Sequence, residues 1–138
     1  MFDKKELTRL QAWLDFRNSL ETAPNPIQDT ITFYNRAPIV NFQVDPYDRK
    51  SWPTPWQLLN ENQYCKFALL LGMFYTLKLT DRFAETAAEI HICKDTASSE
   101  SLYLLHIDNM IIGYDRKTAI NCSDLPTTIL IETIYTMN

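Results

Sequence analysis

Hydrophobic residues change their spacing three times along this chain, and the changes divide it into four stretches. In the first, apolar residues recur at Leu7, Leu10, Trp13, Leu14 and Leu20, a helical spacing that gathers them on one face. Asp3 followed by Glu6 has the spacing of a capping box, so an amphipathic helix is predicted over residues 4–20. Lys5, Thr8, Arg9, Gln11 and Asp15 form its solvated face.

The pattern breaks down across residues 23–55, which hold Pro24, Pro26, Pro38, Pro46, Pro53 and Pro55, six of the seven prolines. Proline removes an amide donor and pushes its predecessor toward extended backbone. No long regular element is predicted here, only a short strand near 30–34 or 39–44. Ile31, Phe33, Tyr34, Ile39, Val40, Phe42 and Val44 set the stretch apart from a linker. It reads as an aromatic arm lying across a core or a neighbour.

Periodicity returns at Pro55, suited to the first position of a short helix capped by Thr54. That helix carries Trp56, Leu58 and Leu59 and ends at the Asn60-Glu61-Asn62 turn. A second helix is predicted from Tyr64 to Leu79, apolar at nearly every position between Phe67 and Leu77 and so buried on most sides. Gly72 within it predicts a close backbone crossing. Beyond it the period becomes two: "AEIHICKD", then "SLYLLHID" and "MIIGYDR" around an Asp108-Asn109 turn, then "TTILIETIYTM" as a last strand. Helices followed by strands predict an α+β fold, with a buried central helix packed on a small antiparallel sheet. We expect a single domain over 1–138: helix 1–22, arm 23–55, and helix plus sheet 56–138.

Composition narrows the chemistry. At 46% hydrophobic and 22% charged, 138 residues can bury one core, and disorder is excluded. A net charge of −4 without a dense Lys/Arg run argues against a nucleic-acid partner. The run from Phe67 to Leu77 is too short to span a bilayer, so no membrane partner is expected. The start "MFDKKELTRLQ" has no apolar signal core, which argues against export. Cys65, Cys93 and Cys122 are odd in number and widely spaced, which predicts free thiols in a reducing compartment and no metal site. With Gly72 and Gly113 the only glycines, phosphate-cradling glycine loops are excluded, and no cofactor is expected.

The stretch that carries chemistry is "SWPTPWQLLNENQYCKFALLLG", residues 51–72. A cysteine in the first turn of a helix gains thiolate character from the helix dipole. It also suits the start of a core helix as a small hydrophobe. Acyl transfer further needs a base, and His91 and His106 are the only histidines.

Together, "WPTPWQLL", "YCKFALLLGMFYTLKL", "EIHICKD" and "LYLLHIDNMIIGYDR" resemble the core of the bacterial transglutaminase-like cysteine proteinases, a papain-like group. The resemblance covers residues 38–116, and its most specific part is Trp52, Thr54, Pro55 and Cys65. It implies Cys65 as nucleophile and Asp115, at a strand end, as the acid. The family histidine falls at Ser101 or Leu102, neither of them a base. Gln63-Tyr64 and Lys66-Phe67 stand where the family has a Gly-Asp and an acidic pair.

The Trp-Pro-Thr-Pro-Trp lead-in and Tyr-Cys-x-Phe-Ala helix also resemble virion proteins of tailed phages, marine ones especially. These resemblances lead to the expectation of a non-catalytic structural subunit in the neck, tail or baseplate of a virion assembled in the host cytoplasm. Its partners would be other virion proteins or copies of itself, with Phe33, Tyr34, Phe42, Tyr47, Trp52 and Trp56 as anchors. The alternatives are a cysteine hydrolase or transamidase, using Cys65, His91 or His106, and Asp115 or Asp108, and a cellular protein-binding module.

Overall fold

The computed structural model describes residues 1–41 and 43–138. They form two compact units, Met1–Glu85 carrying the α-helices and Thr86–Asn138 carrying the sheet.

The first helix, α1, runs Glu6–Leu20 and buries Trp13 and Leu20. Its N-cap is Lys5 with no side-chain cap, so the Asp3/Glu6 spacing does not build the expected box. Leu7, counted on the apolar face, is 82% exposed.

The arm departs most from expectation. Instead of a strand near 30–34 it forms a helix, α2, Pro26–Tyr34. Pro26 sits in the first turn, where its missing amide has no intrahelical partner to lose. Ile27, Thr30, Ile31 and Tyr34 then fall on one buried face. Around 39–44 the described residues form no strand, only an isolated parallel bridge between Ile39 and Tyr64.

Helix α3, Pro55–Glu61, forms as predicted. Thr54 Oγ1 accepts the Gln57 amide, Gln57 Oε1 accepts the Thr54 amide, and Pro55 opens the first turn. Asn62 ends it in the left-handed region at φ 52°. Arg9 donates to the Leu59 and Asn60 carbonyls, a cation at the negative end of the helix.

Helix α4, Lys66–Lys78, buries nine of its thirteen residues and touches α1, α2 and α3. The close approach at Gly72 is made by a side chain, not by a crossing backbone. A Cβ at Gly72 would lie 2.7 Å from Tyr34 Cε1. Beside it, the Thr76 hydroxyl donates to the Gly72 carbonyl at 2.7 Å. Its oxygen accepts from Trp13 Nε1 and from the Tyr34 hydroxyl, both at 2.9 Å. One threonine thus ties α1 and α2 to α4 with its hydrogen-bonding capacity fully used.

In the second unit the strands are β1 Ala88–Asp95, β2 Glu100–Ile107, β3 Met110–Ile112, β4 Ile120–Asn121 and β5 Ile129–Met137. Their order is β4-β3-β2-β1-β5, every pairing antiparallel. Asp108 and Asn109 take positive φ, 53° and 62°, and form the predicted two-residue hairpin turn. The predicted last strand pairs with β1 inside its own sheet. Opposite Ile92 and Cys93 it carries one extra residue, Glu132, as a bulge.

One sheet face, Ala88, Ile90, Ile92, Leu105, Ile107 and Ile112, is buried. On the other, Cys93, Leu104 and Ile111 are buried beneath Leu102, Ile120, Leu125 and Ile129. Helices first and an antiparallel sheet after make this an α+β fold, as the sequence predicts.

Candidate functional site

Cys65 is the N-cap of α4, one position before the predicted first turn. The lead-in is fixed from both sides. Tyr64 donates its amide to the Pro38 carbonyl at 3.2 Å and accepts the Val40 amide at 3.0 Å. The Cys65 carbonyl accepts the first helical hydrogen bond, from Leu69 at 2.9 Å. Its thiol makes no capping bond, and the residue is 5% exposed. The helix N-terminus is therefore present, with Cys65 buried at it.

The histidines come together with each other. Glu89, His91 and Cys93 alternate onto one side of β1, and the β1–β2 register sets Glu89 against His106 and His91 against Leu104. His91 and His106 are diagonal neighbours, their rings stacked 3.8 Å apart at 23°. His91 Nε2 lies 2.9 Å from Glu89 Oε1. His91 is buried. Burial and the neighbouring imidazole push His106 down to about 4, against the opposing pull of Glu89. His91 Nδ1 and His106 Nε2 have no partner.

Of the two positions that the resemblance gives to histidine, Ser101 pairs with Lys94 and faces away from His106. Leu102 pairs with Cys93, on the same side of β2 as His106. Asp115 is not at a strand end, because β3 stops at Ile112. It sits in the exposed connection to β4, its Oδ1 accepting the Lys117 amide at 2.8 Å. Asp108 belongs to the hairpin turn. All three cysteines are free, with Cys65 and Cys93 buried and Cys122 exposed. Burial, with Glu132 nearby, pushes the Cys93 thiol up to about 11, away from reactivity.

Against this geometry, no protein-family model and no curated protein matches the chain. A solved structure does: LapG of Legionella pneumophila, calcium-bound, superposes with a TM-score of 0.69 at 15% identity, over 99% of this chain and 77% of LapG. LapG has a transglutaminase-like cysteine protease fold. The fold of this chain is transglutaminase-like.

Cys65, which the sequence resemblance alone makes the nucleophile, stands at the N-cap of α4. The two positions that the sequence resemblance gives to histidine, Ser101 and Leu102, both lie in β2. No group of three or more His, Cys, Asp or Glu among the described residues could hold a metal ion. No helix among them is long and apolar enough to cross a membrane.

The anchor residues separate. Tyr47 and Trp56 are exposed, at 56% and 58%. Trp52 is half-buried, packed 5.0 Å from Phe67, its Nε1 donating to the Asp45 carbonyl. Phe33 stacks on Phe16 at 3.9 Å. Tyr34 is in the core rather than at the surface, because its hydroxyl is spent on Thr76, and burial pushes it up to about 12. Phe42 lies outside the described residues. Thr76 and the stacked histidines went unseen in the sequence. A lone polar residue in the apolar run 67–77 was the only signal for Thr76, and the hairpin register would have paired the histidines.

Proposed function

We propose that this protein is a non-catalytic subunit that uses a transglutaminase-like fold as a structural part. The observation that carries the reading is what its histidines do. Neither stands at Ser101 or Leu102, the positions the resemblance gives to histidine; they stack on one another, with His91 held by Glu89. A general base works best with a pKa near the working pH, and burial beside His91 pushes His106 down to about 4. The burial of Cys65 supports the same reading. The setting we propose is the virion of a tailed phage, in its neck, tail or baseplate, from the sequence resemblance of the Trp-Pro-Thr-Pro-Trp lead-in. Its partners there would be virion proteins or further copies of the chain. Co-purification with particles tests the setting.

A second reading, a cysteine hydrolase or transamidase with Cys65 as nucleophile, draws support from the likeness to LapG. The alkylation rate of Cys65 against pH, in a protein with Cys93 and Cys122 replaced by serine, decides between them. We expect a thiol that reacts only on unfolding. Rapid alkylation with a midpoint well below the free-thiol value of about 8.5 would reject the non-catalytic reading in favour of the hydrolase.

A further inference from the structure

We propose that β5 is a self-association edge, along which two copies of this chain pair antiparallel about a two-fold axis between Glu132 and Thr133. The inference deepens the structural reading above by naming a partner and the surface that meets it.

The two edges of the sheet are unlike. At one end β4 is two residues long; at the other β5 is nine. Long edge strands invite another strand, and proteins blunt them with proline, lysine or cover. β5 has neither proline nor lysine, and its one charge is Glu132. Leu130, Ile131 and Ile134 are exposed at 56%, 46% and 48%.

The bulge argues for a second copy over a different strand. Ile129, Ile131 and Ile134 pair with Asp95, Cys93 and His91, so they share one face of the sheet with Thr136. Leu130, Thr133 and Tyr135 pair with Lys94, Ile92 and Ile90 on the other. In a regular strand, pairing about a point between two residues would set side chains of opposite faces against each other. The extra residue Glu132 reverses that alternation midway. Centred between Glu132 and Thr133, Ile131 meets the partner's Ile134, Leu130 meets the partner's Tyr135 and Ile129 meets the partner's Thr136. Each pair then lies on a single face. Moving the centre one residue toward the C-terminus sets Thr133 against the partner's Ile134, across the two faces. The same centre places Glu132 against Thr133 and not against its own copy, and brings the exposed isoleucines into one apolar patch. The pattern is self-complementary, as an isologous interface requires.

Sedimentation velocity of the full chain over a range of concentrations is the test. We expect a reversible dimer. Ile134→Lys, at an exposed position, should raise its dissociation constant at least about tenfold with an unchanged circular dichroism spectrum. In a Cys122→Ser background, Ile131→Cys with Ile134→Cys should give an oxidised dimer, and either cysteine alone should not. A chain monomeric at every concentration would overturn the proposal and leave the edge to another protein's strand. A dimer untouched by Ile134→Lys, or linked equally well by a single cysteine, would also overturn it. Cys65 alkylation reads the non-catalytic reading independently, so the two can fail separately.

Discussion

Replacing Thr76 by valine keeps its shape and removes the one hydroxyl that joins three helices. Trp13 Nε1 and the Tyr34 hydroxyl both donate to it, at 2.9 Å, in residues no more than 5% exposed. Valine leaves two buried donors without an acceptor, each costing about 1–3 kcal/mol. Against this, valine loses no apolar packing and frees the Gly72 carbonyl only of a bond additional to its helical one. The expected net loss is about 2–5 kcal/mol, a large share of the stability of a chain this size. Equilibrium denaturation in urea followed by far-UV circular dichroism measures it. Thr76→Ser is the control, since it keeps all three hydrogen bonds and gives up one methyl, about 1 kcal/mol. Tyr34→Phe supplies the second side of a double-mutant cycle. In that background valine orphans only the indole, and its cost should fall by about half. A Thr76→Val protein within about 0.5 kcal/mol of the parent, or equal to Thr76→Ser, would refute the hub.

Acid should weaken the sheet unit through the stacked histidines. The His106 imidazole is held down to about 4, from an ordinary 6.5, by burial and by His91. Between those values the unfolded chain takes a proton that the folded chain refuses, so stability falls as pH drops through that window and levels off above it. Discounted for the solvent reaching this half-buried ring, the loss is about 1–2 kcal/mol. His106→Phe should flatten that part of the profile in denaturation at pH 7 and pH 4; an unchanged slope would place the effect elsewhere. Gly72→Ala sets about 1 kcal/mol of helix propensity against an overpacking cost of about 1–3 kcal/mol. The Tyr34 ring at 2.7 Å is held by its hydrogen bond to Thr76. A net loss in melting temperature is expected, and a gain would show that the ring gives way.

The sequence by itself determined what neighbouring residues settle among themselves. Thr54, Pro55 and Gln57 build the start of α3 because the capping groups lie within one turn. Asp108-Asn109 turn because both tolerate a positive φ. The apolar run 67–77 yields a buried helix wherever it packs, and these pieces in order carried the transglutaminase-like likeness. Tertiary structure decided the rest. Six prolines concealed α2, because only position within a helix, not composition, makes Pro26 harmless. Gly72 met a ring instead of a backbone because its neighbour is 38 residues away in sequence. Whether His91 and His106 meet depends on strand register, and which residues of β5 share a face depends on a bulge opposite β1. A shift of one residue in either pairing turns every side chain beyond it to the other face at almost no local cost. Local physics leaves that choice open, and only the packed sheet makes it.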